Sequence, residues 1–255
     1  MENASRPSAL RGPTLIRLLA RLADADVPEP EQSISQRLSE WLDWTDAIAL
    51  STALSAPAAM PAGGAQAAPP AGGADTGECL RLRQQLTRVI VEDSAFAGLR
   101  QRSGGARAAH PAAIGEPDAA ADFAFFRQRY LSMQQAMETG VSHLRGRLRR
   151  MLAAGEPRMA RLAWVDAAME QALGAREQML LAGLPALLAR YFERLRQGEQ
   201  QALAQAAADA CAETVPVAAG TWLDVFRKDM QSLLLAELDL RLQPVEGLLA
   251  ALRTC

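Results

Sequence analysis

The densest chemistry in this sequence is a run of arginines, Arg145, Arg147, Arg149 and Arg150, followed closely by Arg158 and Arg161. On a helix, Arg145 and Arg149 stand at i and i+4 on one face, with Arg150 beside them. Guanidiniums grouped at a helix end can grip phosphate, nucleic acid or an anionic lipid head group. The same grouping also suits the negative end of a helix dipole and salt bridges to carboxylates on a neighbouring helix. Arg145, Arg149, Arg150, Arg158 and Arg161 are therefore the candidate anion-binding set. A nucleic-acid-associated or regulatory protein built on this cluster is the alternative function.

Other reactive residues are sparse. His110 lies in a Pro/Gly-rich stretch, and His143 sits on the basic side of a helical segment beside Arg145 and Arg147, so both read as solvated side chains. Glu237 and Asp239 are two residues apart and do not face each other on a helix. No ExxH or HExxH pair is present, nor a GxxxxGK[ST] loop, a GxGxxG turn or a serine-hydrolase elbow. The three cysteines, Cys79, Cys211 and Cys255, are far apart and show no CxxC or Cys/His spacing. They fit a reducing compartment, with Cys79 and Cys211 acting as small apolar residues. No metal, no cofactor and no catalytic residue is expected, and the chain reads as a non-enzyme.

Composition narrows the class. A net charge of −2 gives no overall field towards nucleic acid, and Lys228 is the only lysine. Hydrophobic residues make up 49%, but much of that is alanine, and aromatics are only 5%, so Leu, Met and a few Phe and Trp must anchor any core. Ala, Leu, Arg, Gln and Glu dominate, all good helix formers, and no β-branched run alternates at period two. The expected fold is all-α. The first residues, Met1 to Leu22, carry Arg6, Arg11, Arg17 and Arg21 and lack the apolar run of a secretory signal. The most apolar stretch, Met179 to Ala189, contains Pro185 and falls well short of the roughly 20 residues that a membrane span needs. A cytoplasmic location follows as the expectation.

The elements that must position these residues fall into five segments. Residues 1–55 read as a small helical module of three short helices. Residues 56–77, APAAMPAGGAQAAPPAGGADTG, read as a disordered Ala/Pro/Gly linker. Residues 78–100 form a single amphipathic helix with Leu82, Leu86, Val89, Phe96 and Cys79 on one stripe. Residues 101–119 form a flexible linker, and residues 120–255 a long antiparallel helical bundle or coiled-coil-like hairpin. In that last segment, apolar residues recur at Phe123, Phe126, Tyr130, Met133 and Met137. The stripe then continues through Val141, Leu144, Leu148 and Met151 after a stutter. A second seam runs through Met159, Leu162, Val165, Met169, Leu173, Leu180 and Leu184, and a third from Trp222 to Leu238. Pro185 is expected to divide its helix, Pro244 to interrupt the last one, and Thr45 and Thr221 to cap theirs.

Seams this long often continue into a partner helix, so the leading reading is a non-enzymatic helical interaction or scaffold protein that self-associates or docks on a protein partner. Trp41, Trp44, Trp222, Leu248, Leu249 and Leu252 are the candidate contacts, since aromatic anchors dominate interface energetics. Two segments carry a family likeness: Leu15 to Leu54, with WLDWTDAIALS at its core, and Asp229 to Leu252, with AELDLRLQPV. They resemble the opening and the close of an uncharacterised proteobacterial family, domain of unknown function 3348. The resemblance implies no catalytic residues. It suggests association with inner-membrane motor-type proteins and OmpA-like proteins, which would make the chain a cytoplasmic accessory of an envelope-associated assembly.

Overall fold

The structure, a computed structural model, describes residues 14–24, 34–55, 72–96, 122–208 and 220–253. Among them every regular element is helical: α1 (Thr14–Ala23), α2 (Ile34–Trp41), α3 (Trp44–Ser55), α4 (Gly72–Val91), a 3-10 turn (Ser94–Phe96), α5 (Phe123–Ala153), α6 (Pro157–Ala182), α7 (Leu184–Ala208) and α8 (Thr221–Arg253). No described helix is long and apolar enough to cross a membrane. Linker residues 56–71 and 101–119, together with His110, Cys211 and Cys255, lie outside the described residues. Residues 72–77, expected in the first linker, are the opening of α4.

α8 is the axis of the fold. Its buried residues, among them Trp222, Phe226, Met230, Leu234, Leu238, Leu242, Val245 and Leu249, occupy most of its circumference. A helix apolar nearly all round has to be enclosed, and α1, α4, α5 and α7 all pack on α8. Pro244 does not interrupt it. A proline inside a helix costs about 3 kcal/mol, and the buried side chains of Leu242, Val245, Leu248 and Leu249 on either side offset that cost. α5 buries Phe126, Tyr130, Met133, Met137, Val141, Leu144 and Leu148, the stripe the spacing predicts, and then turns inward Leu152 where Met151 was expected. Phe126, Phe192, Phe226 and Trp222 close one end of the core, with Phe192 4.8 Å from Trp222 and 5.0 Å from Phe226, both edge-on.

The first and third helices rest on the long helices. α1 lies on α7 and α8, and α3 lies on α6. The reason is size: helices of 10, 8 and 12 residues bury too little area together, and the long helices offer more. α1 ends at Asp24, whose φ of 53° is the left-handed conformation common just past a helix C-terminus. α3 is capped by Asp43 rather than by Thr45. Asp43 Oδ1 accepts from the Asp46 amide at 2.8 Å and from the Thr45 hydroxyl at 2.6 Å, and the Asp43 amide reaches back to Asp46 Oδ2 at 3.4 Å. The Thr45 hydroxyl and the Asp46 amide hold the Asp43 carboxyl below its ordinary value. α8 starts at Thr221, and the preceding Gly220 has φ 89°, a conformation favouring glycine; its amide is taken by Glu199 Oε1 at 2.8 Å. The break beside Pro185 falls at Gly183, between α6 and α7, and Pro185 sits in the first turn of α7, where its missing N–H costs nothing.

Candidate interaction groove

α5, α6 and α8 enclose a groove of about 370 Å3. Its apolar lining is Val141 from α5, Met169 and Leu173 from α6, and Pro244 from α8. One end is closed by Arg145, whose Nε and second guanidinium nitrogen donate to Asp166 at 2.9 and 2.7 Å while a third bond reaches Glu170 at 3.2 Å. Arg149 lies beside it, ion-paired to Asp166 at 3.1 Å and also bonded to Glu170. At the other end Gln178 donates to Glu138 Oε1 at 2.7 Å.

These contacts occupy part of the arginine cluster. Arg145 and Arg149 are turned onto Asp166 and Glu170, and Arg147 pairs with Glu78. Arg150, Arg158 and Arg161 are exposed, so the exposed arginines of the cluster are not the two held by Asp166 and Glu170. Carboxylates of the next helix raise the affinity of Arg145 for its proton, although burial opposes them.

Behind the groove lies a polar network that no sequence motif marks. Glu237 has 0% exposure. Its Oε2 accepts from the Tyr130 hydroxyl at 2.8 Å and from Gln134 Nε2 at 3.1 Å, and its Oε1 accepts from Gln134 at 3.0 Å and from Arg241 Nε at 3.0 Å. Gln134 also reaches the Leu181 carbonyl at 3.2 Å. The buried charge is thus both paired and fully hydrogen-bonded, as burial requires. Arg241 joins this network to the groove it lines. A second set sits between α1, α7 and α8, where Asp229 accepts from the Tyr191 hydroxyl and from Arg21. The only sequence signal for the first network was the i, i+4 spacing of Tyr130 with Gln134 and of Glu237 with Arg241.

The candidate contact residues separate into two groups. Trp222, at 7% exposure, Leu248 and Leu249 are core residues, and Leu252 packs partly against that core. Trp41 is half-buried with the Arg176 guanidinium 4.7 Å over its ring. Trp44 is 79% exposed. The α6 seam, by contrast, is open. Val165, Met169 and Leu173 are only half-covered, and Met179 and Leu180 are 74% and 65% exposed. Sequence periodicity placed Leu180 on that seam, but not its exposure.

Comparison with known families settles what the chain is related to: the family described as Protein of unknown function (DUF3348) matches residues 1–254. The chain belongs to that family. No curated protein and no solved structure matches it.

Proposed function

We propose that this DUF3348 protein is a non-enzymatic helical interaction or scaffold protein of the cytoplasm, and that its partner docks along the α6 seam. The observation that carries this reading is Leu180, together with its neighbour Met179. Leu180 stands in solvent on the helical face whose Met169 and Leu173 line the groove, and Met179 is exposed beside it. Scattered exposed apolar residues are ordinary, whereas two adjacent large ones next to a groove with apolar lining suit an interface. The nucleic-acid reading is weaker, because Arg145 and Arg149 are already occupied by Asp166 and Glu170. Inner-membrane motor-type and OmpA-like proteins are the partners that the family likeness suggests.

The test is quantitative crosslinked capture from the native host with the full chain, compared with Leu180→Asp and with the exposed control Arg158→Ala. Loss of a specific captured protein with Leu180→Asp alone, at unchanged helicity by circular dichroism, is the expected result. Identical capture by all three proteins would overturn the reading.

A further inference from the structure

Resting on the interaction reading above, we infer that the partner presents an amphipathic helix whose apolar stripe is flanked by Lys or Arg. Two independent properties of the seam point to that chemistry: its helical register and its charge balance.

Met169, Leu173 and Leu180 are spaced by four and seven residues, so all three fall on one face of α6 within three turns. The first two line the groove, and the third stands exposed beyond it. An occupant matching this line must offer apolar side chains at the same helical period, which is how a helix lies in a groove. The cavity itself is suited to individual side chains entering between α5 and α6, not to a whole helix sinking in.

The charges lining the groove do not cancel. Asp166 and Glu170 are balanced by Arg145 and Arg149, and Arg241 is balanced by Glu237. Two carboxylates remain, Glu138 on α5 and Glu177 on α6, one on each wall. Glu138 has only the neutral Gln178 amide as its hydrogen-bond donor, and neither residue forms an ion pair among the described residues. Glu177 acts on Arg145 only through space. Arg176, between Leu173 and Leu180, is held over the Trp41 ring and does not line the groove. An apolar groove bordered by two unbalanced carboxylates attracts cationic side chains and repels anionic ones, and such rim charges set partner choice.

The experiment uses the full chain and three labelled synthetic 18-residue peptides, read by fluorescence anisotropy. One has Leu at i, i+3, i+4 and i+7 with Lys elsewhere, one has Glu in place of every Lys, and one has the Leu/Lys composition scrambled to destroy the stripe. The Leu/Lys helix is expected to bind, and the other two are not. Glu138→Gln with Glu177→Gln should weaken that binding about three- to tenfold, with a shallower salt dependence, and Leu180→Asp should abolish it. The remote pair Glu92→Gln with Glu193→Gln should leave it unchanged. Equal weakening by the remote pair, or equal binding of the Leu/Glu peptide, would falsify the assignment. Leu180-dependent dimerisation in sedimentation, without peptide binding, would give the seam to a second copy and likewise overturn it. If peptides fail while host capture still depends on Leu180, the basic-helix inference falls and the interaction reading stands; if capture is indifferent to Leu180, the interaction reading itself falls.

Discussion

The Tyr130 hydroxyl on α5 donates to Glu237 Oε2 on α8 at 2.8 Å, joining residues 107 positions apart around a carboxylate with no exposed surface. Tyr191 makes the equivalent contact with Asp229, also on α8. The two tyrosines of the chain thus each serve a carboxylate of the central helix.

That arrangement fixes the response to alkali. Burial first, and then the neighbouring Glu237 carboxylate, pushes the Tyr130 phenol far above its ordinary value; burial and the Asp229 hydrogen bond do the same for Tyr191. A phenol whose folded pKa exceeds its unfolded value near 10 stabilises the fold fully below that pH, and the contribution is lost as pH rises. Tyrosinate absorbance near 295 nm should therefore stay flat in the folded protein and appear in a single step that coincides with loss of helical ellipticity above about pH 10. A tyrosinate signal preceding unfolding would contradict the buried pairing.

Arg241→Ala should be severe, because it leaves Glu237 charged and short of its cation. Breaking a buried pair from one side costs about 3 kcal/mol or more, measured as a lowered urea midpoint at unchanged slope. Replacing both partners, Glu237→Met with Arg241→Met, should cost much less than the sum of the single substitutions. Additive losses would mean that the two side chains do not act as a pair.

Much of the fold could be read in the chain. The stripes of α5 and α8 follow helical spacing closely, since a residue's place on a helix face is a local property. What covers a face is not local. The α6 seam from Val165 to Leu180 has the same periodicity as the α5 stripe, yet it is half-open, and nothing in its own residues says so. Glu237 reads as a polar interruption between Ala236 and Leu238 because its partners Tyr130 and Gln134 come from another helix. The Arg145 cluster left both anion binding and salt bridges to a neighbouring helix open, because Asp166 and Glu170, which pair with Arg145 and Arg149, lie across a turn. Pro244 reads as a break because the packing that keeps α8 helical through it comes from other helices.

The arginines should differ sharply under substitution. Arg145→Ala removes a two-pronged contact with Asp166 between side chains that are nearly buried, and should cost about 2 kcal/mol. Arg145→Lys should restore only part, since an ammonium cannot reproduce the fork. Arg158→Ala, at an exposed position, should stay within about 0.5 kcal/mol. Thermal unfolding of the three variants checks the ranking.

Glycines inside the helices offer a stabilising route. A methyl added at Gly146 or Gly174 meets nothing within 4 Å, so alanine there should raise stability by about 0.5–1 kcal/mol each. At Gly140 the same methyl would stand 2.9 Å from a Leu82 methyl. The Leu82 side chain must then shift, and Gly140→Ala should gain less than the other two. A comparison of melting temperatures decides the order.

The position of α8 in the order of synthesis gives this protein an unusual assembly schedule. The helix on which α1, α4, α5 and α7 all pack is made after every one of them. During translation those earlier helices emerge with their apolar faces prepared and their common partner not yet in existence, so docking of the core waits for the arrival of residues 221–253. Closing α1 onto α8 then joins segments some two hundred positions apart, a slow kind of contact. Ribosome-bound chains halted before Thr221 are therefore expected to expose the apolar helix faces that α8 covers and to be recognised by chaperones.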